Sequence, residues 1–538
     1  MKNTIRKIRL LLCALCLCIG IRAKAAQMLE DSVVPFTFYE DGDVVGFIGD
    51  SITHAKYCDV NYVDSIYRYY LSCFPERKIE FRNLSTAGYK AIDILNIYDQ
   101  DPAFRGINKA VIMLGTNEAI LRTPTEEYIS NMEALIERLK GDGLKGEDIL
   151  LLSPPICDEN CAKSSQYKFE GRLLEYIKEL EVKASEWGVH YLDIHTPMVE
   201  LTEKLQQEDS KKTLTTGDAI HPGTTGQMVI AYYILQTQGA DNNAITVDYA
   251  AQGEEWTELE EFSDYYVGEK GMFWSVEWNT LPFAVTEELT EFLEAFENGK
   301  SLYQSLLRIE NLSEDVSYTV FMGESELGTF HGKELADGID LAMLGTHTLQ
   351  TDMHQIEEKI REWHKTVVQY RNIWIDVMMQ RVAYTEEQVR QKYEPWRTSE
   401  ELLRSEIYEM AQNAAGSVYR ISVVEEGYSV DDLLNEAELA RKEAEEEAKR
   451  EAQEQARREA EEKARKESEE QARKEAEELA EREAEEQARR EAEELAAREA
   501  KKAARKDFYF KTAIVIAAGM MLFILVGTRL KRRKHVLK

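Results

Sequence analysis

Ser51 lies in Gly49-Asp50-Ser51-Ile52-Thr53, directly after the apolar run Val44-Val45-Gly46-Phe47-Ile48. A serine hydroxyl is a weak nucleophile and needs an adjacent base, for which a histidine of near-neutral pKa is the usual choice. His221 is available in Asp218-Ala219-Ile220-His221-Pro222. Asp218, three residues earlier on one turn, can place a carboxylate against the far imidazole nitrogen and fix its tautomer. Asn117 follows the run Ala110-Val111-Ile112-Met113-Leu114 and brings a side-chain amide. With the backbone N–H groups of Ser51 and Gly88 it can stabilise a developing oxyanion. Taken singly, each residue also has a structural use: Ser51 and Asn117 as caps, His221 as a loop residue, Asp218 closing an Asx-turn. Together they are the parts of acyl transfer through a serine ester.

Four segments carry a family likeness. Gly49-Asp50-Ser51, Asn83-Leu84-Ser85-Thr86-Ala87-Gly88, Gly115-Thr116-Asn117-Glu118 and Asp218-Ala219-Ile220-His221-Pro222 occur in this order, three of them directly after expected strands or in the turn that follows. They resemble the blocks of the SGNH (GDSL-type) hydrolases over roughly Asp43 to Gly239, less than half of the chain. Two positions depart from the pattern. Glu118 stands where aspartate is commoner, and Ser85 stands where the second block usually has glycine, which leaves Gly88 for the oxyanion role. The resemblance implies a three-layer α/β/α sandwich with a parallel, flavodoxin-like sheet, and a Ser-His-Asp mechanism needing no metal or organic cofactor. No Gly-x-Ser-x-Gly elbow surrounds Ser51, which argues against an α/β-hydrolase.

Positioning these groups requires strands that end beside one another. Short β-branched runs ending in Gly-polar turns read as buried parallel strands: Val44–Ile48, Ile79–Arg82, Ala110–Leu114, Ile149–Leu152 and His190–Ile194. Helical patterns at Tyr62–Cys73, Glu126–Leu139, Gly171–Trp187 and Thr225–Leu235 alternate with them. Such alternation implies a parallel sheet covered on both faces, with the site at the carboxyl ends of the strands.

The 538 residues leave room for more than one core, and a formal charge of −33 makes nucleic acid an improbable partner. Lys2, Arg6, Lys7 and Arg9 precede the apolar stretch Leu10 to Ile21, and Ala23-Lys24-Ala25 offers a small-x-small cleavage site, so residues 1–25 read as a secretory signal. Cys13, Cys16 and Cys18 fall within it. Cys58, Cys73, Cys157 and Cys161 remain; an exported chain could oxidise them, but free thiols are the simpler expectation.

After a hydrolase region at 28–240, an α+β accessory region is expected at 241–430. It has strands at Ile245–Tyr249 and Phe273–Trp278, and a hairpin of Leu306–Glu310 with Ser317–Met322. Ile356, Ile360, Trp363, Val367, Tyr370 and Trp374 then form one apolar stripe, which reads as core packing. Longer bacterial SGNH proteins share a segment like Leu281-Pro282-Phe283 and downstream helices. Residues 431–507 are Glu, Ala, Lys, Arg and Gln, with alanine every four residues from Ala440 to Ala500 apart from Ser468. That alanine line overshoots each helical turn and winds around the surface, so no coiled-coil seam forms. Glu445 with Lys449, Glu446 with Arg450, Glu461 with Arg465, Glu469 with Arg473 and Glu485 with Arg489 are spaced to pair along a solvated single helix. Self-association through Leu439, Leu479 and Leu495 is the alternative. Thr512 to Thr528 is apolar and sits in a membrane span expected over 508–528, before the basic tail 529–538.

The expected protein is therefore a single-pass, membrane-tethered extracellular esterase acting on O-acetyl or short-chain esters of a glycan or lipid. A cell-surface O-acyltransferase, or a degenerate head used for binding, are the alternatives.

Overall fold

β1 (Val44–Gly49), β2 (Glu80–Asn83), β3 (Lys109–Met113), β4 (Ile149–Leu152) and β5 (His190–Leu192) form a parallel sheet in the order β2-β1-β3-β4-β5. They belong to a computed structural model that describes residues 39–161, 168–241, 243–248, 262–277, 280–344, 348–378 and 385–502. Alternate residues of these strands feed two apolar layers. Val45, Phe47, Val111, Met113, Leu150 and Leu152 pack with α2 (Tyr62–Cys73), α7 (His195–Glu208) and α8 (Thr224–Thr237). Ile48, Ala110, Ile112, Ile149 and Leu151 pack with α3 (Ala91–Ile97), α5 (Thr125–Gly141) and α6 (Glu170–Trp187). This is a sandwich of three layers, as expected for strands buried on both faces. Strand order reverses between β1 and β3, so their carboxyl ends open a crevice there. A one-turn helix α1 (Ser51–His54) leaves β1, and α4 (Thr116–Ile120) leaves β3.

The first apolar layer does not end at residue 240. The same buried cluster continues through Leu281, Phe283, Ile356, Ile360, Trp363 and Tyr408. Those residues come from the Leu-Pro-Phe segment and from α9 (Thr348–Met378) and α10 (Glu386–Ala415). Residues up to Ala437 make one compact unit. The stripe on α9 is buried along its length: Trp363 meets the hydrolase layer, its ring 5.2 Å from that of Tyr67, while Tyr370 and Trp374 lie 5.5 and 5.6 Å from Tyr393 on α10.

The expected hairpin is overturned. Leu306–Glu310 and Ser317–Met322 are strands, but they are not a hairpin. The first, β9 (Ser305–Glu310), pairs in parallel with β6 (Asn243–Asp248) in a three-stranded sheet whose third member is β12 (Ile339–Asp340). The second, β10 (Ser317–Met322), pairs with β11 (Ser325–His331) across the two-residue loop Gly323-Glu324, where Gly323 takes φ +60°. A two-residue loop with a left-handed glycine matches strand twist and closes a hairpin more readily than the six-residue link 311–316. A five-stranded antiparallel sheet has the order β11-β10-β13-β8-β7, with β7 at Phe262–Val267, β8 at Gly271–Glu277 and β13 at Val418–Glu425.

The second unit begins at Glu438 and is carried by the rest of helix α11 (Val430–Lys502). Nearly all of its described side chains are exposed. Glu445–Lys449 and Glu446–Arg450 pair as expected, at 3.7 and 3.4 Å. Arg465, Arg473 and Arg489 do not turn back to the expected glutamates; they reach forward to Glu469, Glu477 and Glu493 at 2.8, 3.5 and 3.4 Å. Glutamates lie four residues away on both sides of these arginines, so the spacing does not choose between them. Each exposed pair contributes only about 0.2–0.5 kcal/mol and is screened by salt. A peptide of residues 438–502 should therefore lose part of its 222 nm ellipticity on going from low salt to molar NaCl. Salt-independent helicity would assign the helix to alanine propensity alone.

Among the described residues no helix is long and apolar enough to cross a membrane. The signal expected at 1–25, the span expected at 508–528 and the tail expected at 529–538 lie outside those residues. Among the described residues, Cys58, Cys73, Cys157 and Cys161 are not joined in disulfides.

Candidate active site

Gly49 ends β1 where nothing larger fits. A Cβ there would lie 2.0 Å from Thr53 Oγ1 and 3.1 Å from the Met113 carbonyl. The chain then turns into α1, whose N-cap is Asp50: its Oδ1 accepts the Ile52 N–H at 2.9 Å. This places Ser51 at the first position of the helix, 9% exposed. Its hydroxyl meets His221 Nε2 at 2.9 Å. His221 Nδ1 lies 2.6 Å from Asp218 Oδ2, while Asp218 Oδ1 accepts the backbone N–H groups of Ile220 and His221, each at 2.9 Å. Partial burial opposes ionisation of Asp218, but these donors outweigh it and hold its carboxyl below the usual carboxylate range. The turn is strained, because Ala219 takes φ +72°. Hydroxyl and imidazole are thus brought together from the start of α1 and a turn 170 residues later, and the carboxylate comes from that same turn.

The proposed oxyanion donors are arranged less uniformly. Gly88 is exposed, takes φ +83°, and faces open space where a Cβ would be. Among the described residues no acceptor takes the N–H of Gly88 or of Ser51. Asn117 is engaged: its Nδ2 donates to the Tyr89 carbonyl at 2.9 Å and reaches Asp50 Oδ2 at 3.3 Å. Ser85 is fully buried, and its hydroxyl bonds Asn83 Oδ1.

Two residues beside the site, Tyr57 and Cys58, lie outside every motif. The Tyr57 ring, 50% exposed, lies 4.6 Å from the His221 ring, centroid to centroid. Cys58 Sγ donates to the Pro222 carbonyl at 3.3 Å, and burial pushes its thiol up to about 12. Asp50 and Glu118 form a buried acidic pair. Burial, reinforced by Glu118, pushes Asp50 up to about 7 against its bond from the Ile52 N–H. Burial likewise lifts Glu118 to about 7, although its Oε1 accepts the Ala91 N–H at 2.8 Å. Nothing in the local sequence separates these two from exposed carboxylates.

Their sign is worth testing. A carboxyl whose folded pKa exceeds its unfolded value near 4 favours the fold while protonated, and that contribution is lost as pH rises towards 7. Relative to Glu118→Gln, which keeps the bond from Ala91, the parent should lose several degrees of Tm between pH 5 and pH 8. Parallel Tm curves for the two proteins would refute the shift.

Residues 47–229 match the GDSL-like lipase/acylhydrolase family. This segment is a GDSL-type hydrolase domain. The chain is accordingly an enzyme of the ester-hydrolysing class. No curated protein matches it. Among solved structures, a gut microbial diltiazem-metabolizing enzyme is 20% identical with a TM-score of 0.59, covering 72% of this chain and 98% of its own. This likeness of fold extends beyond the matched segment 47–229. An acetylxylan esterase from Geobacillus stearothermophilus is 19% identical, covers 37% of this chain and 95% of its own, and has a TM-score of 0.31. An alpha/beta hydrolase enzyme from the metagenome of Lake Arreo, Spain, is 22% identical, with 37% and 97% coverage and a TM-score of 0.31.

Proposed function

We propose that the chain is an exported serine esterase that cleaves O-acetyl or short-chain esters, with Ser51 as nucleophile. The observation that carries this reading is the continuous relay from Ser51 Oγ through His221 to Asp218, at 2.9 and 2.6 Å. His221 takes the hydroxyl proton as Ser51 attacks the acyl carbon. The imidazolium returns that proton to the departing alkoxide, leaving an acyl-enzyme. Water, deprotonated by the same imidazole, then releases the acid. Asp218 stays ionised and stabilises the charged ring. The oxyanion is met by the N–H groups of Ser51 and Gly88 and by Asn117. The Asn117 hydrogen held only loosely by Asp50 at 3.3 Å is the one free to turn towards it. Each donor lost costs about 2.7–4 kcal/mol of barrier. The relay needs no metal.

A short acyl group is favoured by the open surroundings of the relay, with Gly88 exposed and Asp218 43% exposed in its side chain. The charged N-terminal stretch and the basic residues after Thr528 support export and a cytoplasmic tail, which would tether the hydrolase outside a membrane through residues 508–528. Hydrolysis of a series from nitrophenyl acetate to nitrophenyl palmitate tests the acyl preference; kcat/KM rising with chain length would overturn it. Protease added to intact cells should remove the hydrolase region while sparing the tail, and full protection would reject the orientation.

A further inference from the structure

A closed circuit of hydrogen bonds runs behind the Ser51 turn. Asn83, at the end of β2, donates from Nδ2 to the Thr53 carbonyl on α1 at 2.8 Å, and its Oδ1 accepts the Ser85 N–H at 3.1 Å. The Ser85 carbonyl accepts from Arg371 on α9, through Nε and Nη2 at 3.4 and 3.3 Å. The next residue, Asn372, presents Oδ1 to His54 Nε2 on α1 at 3.1 Å, which closes the circuit. Arg371 is 0% exposed and is neutralised by buried Asp101 at 2.7 Å. An amide oxygen only accepts, so His54 carries its hydrogen on Nε2. Burial, opposed by the bond to Asn372, takes His54 down to about 4 and keeps the ring neutral.

The two arms of this circuit are the two halves of the proposed chemistry. α1 carries Ser51, and the segment from Asn83 through Ser85 leads three residues later to Gly88. We propose, building on the serine esterase reading, that Arg371 and Asn372 are positioning residues, which fix the spacing between nucleophile and oxyanion turn from a helix outside the hydrolase domain. A guanidinium forked onto one carbonyl and a carboxamide on one imidazole are directional contacts, unlike the apolar stripe beside them. A shift of about 1 Å at reacting atoms can cost on the order of 10²-fold in rate.

The test uses the full chain with nitrophenyl acetate. Asn372→Leu keeps the branching and number of heavy atoms and removes the acceptor; Asn372→Asp restores an acceptor. Asn372→Leu should lower kcat roughly 10- to 100-fold with KM changed by less than about 3-fold and Tm nearly unchanged, and Asn372→Asp should recover most of the loss. Arg371→Lys should lie between Asn372→Leu and the parent. An unchanged kcat in folded Asn372→Leu, or kcat falling only in step with Tm, would overturn the proposal. Amide hydrogen exchange gives a reading that does not need turnover: protection should fall over 51–55 and 84–89 in Asn372→Leu and stay constant over 149–152. If the parent neither hydrolyses esters nor reacts with a fluorophosphonate, the esterase reading fails, while the exchange pattern still decides whether α9 holds the two arms.

Discussion

Ser51→Ala should reduce ester hydrolysis by roughly 10⁴-fold or more and abolish labelling by a fluorophosphonate, with Tm close to the parent. The size of the effect follows from the relay. Ser51 Oγ supplies the nucleophile, and it is the hydroxyl that meets His221 Nε2 at 2.9 Å while Asp218 holds the other ring nitrogen. The variant should fold, because the α1 N-cap belongs to Asp50 and the Ser51 carbonyl still accepts the Ala55 N–H at 2.9 Å. His221→Ala should fall by a similar factor, whereas Asp218→Asn should lose less, since its Oδ1 can still accept the two backbone donors. Turnover and labelling both retained in Ser51→Ala would remove Ser51 from the chemistry.

A chain ended after Ala240 should fail to fold as a soluble hydrolase, although it contains the whole matched segment 47–229. The cut removes Trp363 and Tyr408 from around Tyr67, whose ring lies 5.2 and 5.7 Å from theirs. It also strips Glu357 from Arg68, His364 from Asp64 and Arg371 from Asp101, which leaves charges without partners on a surface that had been interior. Burying one large apolar side chain contributes about 1.5–3 kcal/mol, and a domain holds only about 5–15 kcal/mol in total. Losing several such groups at once exhausts that margin. Expression of residues 28–240 beside 28–437, with soluble yield and thermal unfolding measured for both, checks the expectation. A soluble, cooperatively melting 28–240 would show that the two regions only touch.

The hydrolase sandwich was legible because buried parallel strands advertise themselves as apolar runs. Ile149–Leu152 and Tyr62–Cys73 have the same bounds in sequence and structure. Ser51 and Asn117 stand out as candidates because they follow strand ends, and His221 with Asp218 because they share one short motif. The contribution of α9 was only half visible. Its stripe could be read, yet Arg371 sits four residues from Val367, on the same face, and a cation within an apolar stripe signals a buried counter-charge. The pairing of β9 and β10 was hidden for a different reason: alternation tells a strand which face to bury and says nothing of which neighbour it joins. The pairs of Arg465, Arg473 and Arg489 were hidden by symmetry, since each has a glutamate four residues away on either side.

β13 is the last strand of its sheet to leave the ribosome, yet it lies in the middle, hydrogen-bonded to β10 on one edge and β8 on the other. Until residue 425 has emerged, two ribbons with bare inner edges wait on the nascent chain, and α10 must be in place to deliver the missing strand between them. Slow synthesis past that point therefore prolongs exposure of unpaired strand edges, which makes holding by a chaperone during translation most valuable at this step.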